Sequence, residues 1–504
     1  MIAYSRILAA ILLSLAMAGC GDELIDSKAR IQLLWGCSPE YSAATSGVTS
    51  YCLTVLSDPM EHRPTDGCAG TIEGLRIKIK ASPNPVYVKI EGIDPEGTTI
   101  IQGISPPVVL DPESEVTVPV PMAPSVANKT GTALLLWGNA NGCEPLPFPS
   151  VYGTATAFPS GHVLMVGTDV VEASVDDTRA AYLLDTVAQS SRVLSTVGSN
   201  TLYRAHHIAA LLDDGRVLFA GGEATNAGFF PQDLQVFSAS PVLMRPYDRV
   251  QDYTAAGNFN RIGSVELAYP RPRARGSVFF GDQVLIYSDG DAPEMFFGDT
   301  NTRTMLGGGY AQAFPNTGLS PGLAVFPDRS RALLLGGDTN HAGRLVVSDG
   351  NPNVTFVSFP GATFGVRKAP IGIALDNTRA VFLGGTEIPT DTPILLVDGQ
   401  AGTVTEIPAP PTFPIVGFTA DLLPDGSVLV CGGSSGNPQF LPGRTFILKP
   451  NQGGLSIFDG PALNVERMDH RSVRLPDRRI LLIGGITFSG DYHAAALSAE
   501  VLSF

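Results

Sequence analysis

The chain has 504 residues, 44% of them hydrophobic and 16% charged, a balance that excludes an intrinsically disordered protein. Its 55 glycines and 40 prolines together exceed the usual share of about 12% and mark a turn-rich globular chain. The net charge of −15, with no run of Lys or Arg, argues against nucleic-acid binding and against docking on an anionic lipid surface, both of which need clustered positive charge.

Met1 to Arg6 carries one positive side chain, and Ile7 to Ala18 is an apolar run too short to span a bilayer. Residues 1–19 therefore read as a secretory signal. Met17-Ala18-Gly19-Cys20 resembles the bacterial lipobox, departing from it at Met17, where that family has Leu. The resemblance implies cleavage before Cys20, a diacylglycerol on its sulfur and acylation of the new amino terminus. Asp22 lies two residues after Cys20 and not next to it, so the inner-membrane retention signal of enterobacterial lipoproteins is missing. The expected place is the outer membrane or cell surface, with the lipid as the only membrane contact. Residues 20–30 form a polar tether, reaching at most about 35 Å.

Export changes the reading of the cysteines. Cys37, Cys52, Cys68 and Cys143 are disulfide candidates in an oxidising compartment, with three connectivities open. Their spacings of 15, 16 and 75 residues contain no CxxC pair, which argues against zinc.

Residues 31–124 alternate apolar and polar positions in short runs punctuated by Pro, Gly, Asp and Asn. Leu75-Arg76-Ile77-Lys78-Ile79-Lys80 has the period of two that a half-buried strand requires. Six or seven such strands predict a small immunoglobulin-like β-sandwich, and the segment from Val86 to Val120 resembles the Ig-like or fibronectin-like domains of secreted bacterial proteins. This region reads as a spacer.

Residues 125–504 carry a repeat: an apolar strand, a tight polar turn, a second apolar strand, then a glycine pair. The clearest copies run from Ile208 to Gly222 and from Phe418 to Gly433. Measured on the first glycine or its equivalent, positions 167, 221, 288, 336, 384, 432 and 484 are 54, 67, 48, 48, 48 and 52 residues apart. Asp-Gly between apolar runs favours a two-residue hairpin, and the glycine pair allows a bend or a close approach of backbones that a Cβ would block. Two further apolar runs follow each pair. Four strands in about 50 residues make one propeller blade. The last unit supplies three strands and ends on Ala499 to Phe504, so Ala133-Leu134-Leu135-Leu136-Trp137 is expected to close it. The pattern resembles the Kelch family and implies a seven-bladed Kelch-type β-propeller, although the Tyr and Trp usual in the later Kelch strands are mostly missing.

Polar residues after the glycine pairs (Glu223, Asn226, Asp338, Asn340, His341, Glu387, Asp491, Tyr492, His493) are expected to share one face of a propeller, first as solvated loops. Arg204, Arg273, Arg367 and Arg467, with His206, His207 and His470, recur before or at the start of a blade, where the Kelch resemblance implies hydrogen bonds between blades. An insertion from Val242 to Arg261, placed between blades two and three, holds Tyr247 and Tyr253 and suits carbohydrate or protein recognition. Tyr247, Tyr253, His341, Tyr492 and His493 are the candidate ligand-facing residues.

No catalytic residue, metal site or cofactor is assigned. Copper radical oxidases share a Kelch-like propeller and need two Tyr, two His and a Cys crosslinked to one Tyr. Tyr492-His493 matches part of that set, but Cys431, alone among the cysteines in the blade repeats, sits in a strand where a small buried apolar residue is expected. Sialidase turns with their Trp and Asp-x-Asp-x-Asp calcium loops are absent from the sequence. The expected function is non-catalytic binding of a protein or glycan through the propeller loops. The alternative is a propeller enzyme, a copper radical oxidase or a carbohydrate-active one.

Overall fold

The computed structural model describes most of residues 25–503; outside the description lie 1–24, 36–46, 58–63, 80–85, 111–115, 125–131, 169–180, 195–204, 223–232, 239–257, 307–319, 348–353, 386–393, 436–442 and a few shorter stretches. The described residues form an all-β protein that divides into two compact units, the first ending at Met122 and the second running from Ala123 to Phe504. No helix among them is long and apolar enough to cross a membrane.

In the first unit a six-stranded sheet has the order Arg30–Leu34, Thr117–Pro124, Thr99–Ile104, Tyr87–Ile93, Ser50–Leu56, Gly67–Ala69, its first two strands parallel. Burial alternates residue by residue along Tyr87–Ile93, and Val88 and Ile90 enter a core with Leu53, Ile101, Val118 and Val120. The alternation at Leu75–Lys80 gives a shorter strand than its period predicts. Leu75 and Ile77 are buried, but only Lys78–Ile79 pairs, with Ile25–Asp26. Ile72–Gly74 forms a 3₁₀ turn just before it, tied down by Arg76 Nη1 donating to the carbonyls of Glu73 (2.9 Å) and Leu75 (3.1 Å).

The second unit contains seven four-stranded antiparallel sheets among the described residues. We label their inner strands β1 (Thr154–Ala157), β2 (Ile208–Leu211), β3 (Arg275–Val278), β4 (Pro321–Val325), β5 (Ile371–Ala374), β6 (Thr419–Leu422) and β7 (Arg471–Arg474). Each neighbours the next, and β7 neighbours β1, so the sheets close into a ring: a Kelch-type β-propeller. The seventh sheet takes β7, Ile480–Ile483 and Ala499–Ser503 from the later part of the unit and Thr132–Trp137 from its beginning.

The core lies between sheets, which is why the second strands read as unbroken apolar runs. In Arg331–Gly336, Ala332 and Leu334 pack towards the third sheet while Leu333 and Leu335 pack towards the fifth. The glycine pairs fasten these contacts. The second glycine of four pairs donates its N–H to a carbonyl of the next sheet: Gly222 to Arg271 (2.8 Å), Gly337 to Arg367 (2.8 Å), Gly433 to Arg467 (2.9 Å) and Gly485 to Ser150 (2.7 Å). A Cβ on Gly485 would lie 2.5 Å from the Met468 carbonyl oxygen, closer than atoms can pack.

One placement differs from the sequence expectation. The insertion holding Tyr247 and Tyr253 falls inside the second sheet, between its third strand Asp233–Ser238 and its fourth, Asn258–Glu266, and not between two sheets. The outer strand of that sheet resumes only at Asn258, so Asn258, Asn260 and Arg261 belong to a strand.

Candidate functional site at the mouth of the ring

Two residues before each inner strand the chain turns from the outer edge of one sheet into the centre of the next. At this place six sheets hold a residue in the left-handed region: Tyr152 (φ 55°), His206 (54°), Arg273 (51°), Ala369 (51°), Gly417 (68°) and Asp469 (52°). The corresponding residue of the fourth sheet lies outside the described residues. Backbone bonds link this collar from sheet to sheet, with His206 N–H donating to the Tyr152 carbonyl (2.9 Å) and Asp469 N–H to that of Gly417 (2.7 Å). Each non-glycine residue here costs about 1–2 kcal/mol of backbone energy, and such outliers concentrate at functional sites.

Four collar residues, Arg273, Ala369, Gly417 and Asp469, line a cavity of about 680 Å³ whose walls come from the third, fifth, sixth and seventh sheets. Its lining includes Arg273, Arg275, Lys368 and Arg471 against a single carboxylate, Asp469. That carboxylate accepts a hydrogen bond from the Tyr152 hydroxyl (3.0 Å), and the Tyr152 ring stacks on His206 with centroids 4.2 Å apart. Burial raises the Asp469 carboxyl above its ordinary range, against the hydrogen bond from Tyr152 and the charge of Arg471. His206 is lowered to about 4, by burial first and then by Arg471, Arg273 and Arg275, so its imidazole is neutral at pH 7. Arg471 Nε donates to the Gly153 carbonyl, anchoring the guanidinium to the first sheet.

Below this layer His207, His470 and Arg467 hold sheets together, while Arg204 lies outside the described residues. His207 Nε2 meets Thr154 Oγ1 at 2.8 Å and His470 Nε2 meets Thr419 Oγ1 at 2.9 Å, the same Thr–His bridge between successive inner strands. Arg467 is wholly buried and pairs with Glu500 at 2.9 Å, while Arg271 pairs with Glu294 at 2.6 Å. Arg271, not Arg273, is therefore the counterpart of Arg467; Arg273 stands two residues on, in the collar.

Of the candidate ligand-facing residues, Tyr247, Tyr253 and His341 lie outside the described residues. Tyr492 and His493 belong to the strand Tyr492–Ala495, which pairs with Ile486–Ser489 in a hairpin beside Met468, at the mouth; their side chains lie outside the description. The strand ends Gly336 and Ala342 lie on the mouth side of the fourth sheet, whereas Ser238 and Asn258 end on the opposite side of the second. Cys52 and Cys68 form a disulfide across adjacent strands. Cys143 is disulfide-bonded, with a partner outside the described residues, as are Cys20 and Cys37. The Tyr152–Asp469 pair was not singled out from the sequence, because its two halves lie 317 residues apart.

No family model matches this chain, and no curated protein matches it. Among solved structures it is similar to a fungal alcohol oxidase of the AA5 family, solved in complex with copper, at 14% identity and a TM-score of 0.51 over 71% of this chain and 74% of that one. A second similar structure is YjhT, at 13% identity and a TM-score of 0.37 over 70% of this chain and 98% of that one. These likenesses concern the fold. The described mouth residues do not fit copper: Arg273, Arg275, Lys368 and Arg471 set a positive field that repels a cation, and no group of three or more His, Cys, Asp or Glu among the described residues is placed to hold a metal. Cys431 packs with Leu429, Ile447, Ile480, Leu482 and Leu502 between the sixth and seventh sheets, where burial holds its thiol protonated.

Proposed function

We propose that the chain is an exported, lipid-anchored envelope protein in which an immunoglobulin-like domain carries a propeller that binds a protein or glycan ligand without transforming it. The observation behind this reading is the cavity at the mouth, lined by the strained residues Arg273, Ala369 and Asp469, the last of them held by the Tyr152 hydroxyl. Rigid display of polar groups around an opening is what ligand recognition needs. Glycan and peptide arrays probed with the full chain should give ligands whose binding is lost in Ala369→Trp, a variant that fills the mouth from the collar. Binding that ignores this variant, or turnover of a bound ligand, overturns the reading.

The anchor is tested separately. A fatty-acid analogue should label the expressed protein, and Cys20→Ala should abolish the label; a persistent label refutes lipidation at Cys20.

A second reading, a carbohydrate-active enzyme, draws on one observation: the Tyr152 hydroxyl donates a hydrogen bond to the buried Asp469 carboxyl, whose raised affinity for a proton suits a general acid. Conversion of a bound sugar that disappears in Asp469→Asn while sugar binding survives favours it.

A further inference from the structure

We infer that the mouth of the propeller takes an oxyanion, a carboxylate or phosphate group of the ligand, held by Arg275 and Arg471. This rests on the reading of the propeller as a binding module and names the chemistry of what it binds.

The chain as a whole carries −15, yet the cavity lining gathers four cations and one carboxylate. Its charge therefore runs against the composition of the protein. The single carboxylate cannot neutralise four cations, and Asp469 also accepts the hydrogen bond of the Tyr152 hydroxyl. Arg275 makes no side-chain hydrogen bond or ion pair among the described residues, and Arg471 commits only Nε, to the Gly153 carbonyl. Two guanidinium groups consequently line one half-enclosed space with their terminal N–H groups unused by acceptors among the described residues.

They also act on each other. Burial lowers Arg471 below the usual arginine range, the charge of Asp469 opposes this, and the charge of Arg275 adds to the lowering. His206 is depressed by burial and by the same arginines, which shows that their field reaches across the collar. Like charges kept together in a cavity are unfavourable until an anion joins them. A planar guanidinium fork matches the two oxygens of a carboxylate or phosphate, which an isolated ammonium does not. Lys368 and Arg273, exposed at the rim, extend the positive field outward and would draw an anion in.

The test is titration calorimetry of the full chain with inorganic phosphate and with glucuronate, using glucose as the neutral counterpart, at low and high salt. At least one oxyanion should bind where glucose does not, with affinity falling as salt rises. Phosphate alone or glucuronate alone supports the site and identifies which oxyanion it prefers. Arg275→Gln should weaken that binding by about tenfold or more, and Arg275→Lys by less, without lowering the melting temperature, because the native side chain makes no hydrogen bond or ion pair among the described residues. Oxyanion binding unchanged in Arg275→Gln and in Lys368→Gln overturns the assignment. Glucose binding as well as glucuronate, or neither oxyanion binding while array ligands still need an open mouth, refutes the oxyanion site and leaves the binding reading intact. An oxyanion ligand that binds through Arg275 and is chemically converted refutes the non-catalytic reading alone.

Discussion

Asp421, on β6, shows what a single misplaced charge does inside this ring. Burial pushes its carboxyl up to about 6, against a hydrogen bond from Ser472 and the charge of Arg474, and its Oδ2 has no hydrogen-bond partner. A carboxyl raised in the folded state makes the fold lose stability as pH climbs from about 4 to 6, and the loss is complete above 6. Asp421→Asn should therefore be more stable than the native protein at pH 7, by at most about 3 kcal/mol, with the difference shrinking on acidification to pH 4. Denaturant midpoints at both pH values check this. The opposite is expected of Glu500→Gln. Arg467 and Glu500 are both wholly buried, and Glu500 also accepts the Asn464 N–H at 2.8 Å, so leaving Arg467 without its counter-charge should cost about 3–5 kcal/mol at pH 7. Both Arg467 and its recurrence are visible in the sequence; Glu500 is not, since it comes from another strand 33 residues on. The register is equally hidden, because the spacing groups Arg273 with Arg367 and Arg467 while the fold gives that position to Arg271.

At the scale of the element, the glycine pair is legible because it is local and chemically unique. Its two functions, a left-handed turn and an approach of backbones, both require the missing Cβ. Gly433 has φ 84°, and a Cβ there would lie 2.7 Å from the Val416 carbonyl oxygen; Gly426, in a hairpin turn at φ 80°, has nothing within 4 Å. Gly433→Ala should thus lower stability by well over the ~1 kcal/mol expected for Gly426→Ala, which bears only the strain of the backbone. Calorimetric melting of the two variants side by side measures the difference. The disulfide between Cys52 and Cys68 closes a short loop with a sequence separation of 16, and replacing both cysteines by alanine should destabilise the first unit by about 3 kcal/mol, read as an earlier transition of that unit. The collar escaped the sequence reading for a physical reason. What its members share is a backbone angle, and Tyr, His, Arg, Ala, Gly and Asp all fill it, so no pattern of side chains marks the place.

At the scale of the whole molecule, the repeat spacing foretold a ring because each sheet is a unit that cannot bury both its faces alone. The alternation of Leu333 and Leu335 with Ala332 and Leu334 is written into every second strand, and only a circle of sheets covers every such face. The charge of the mouth could not be foretold in the same way. Arg273, Arg275, Lys368 and Arg471 are spread over roughly 200 residues of an acidic chain and meet only after closure. Closure itself is testable. Leu135→Pro removes a ladder position of Thr132–Trp137 opposite Glu500, and should unfold the propeller as a whole, seen as loss of one cooperative transition and not as a local fraying.

The pairing of Thr132–Trp137 with Ala499–Ser503 also sets an order in time. Roughly 360 residues of synthesis separate the two strands, and throughout that interval the first to emerge has an open edge and nothing to bind. A nascent chain halted before Ala499 is an arc with two raw ends, the state in which an edge strand recruits a neighbouring chain in place of its own. The strand Ala499–Ser503, the last of the ring to be made, is the latch that covers this edge.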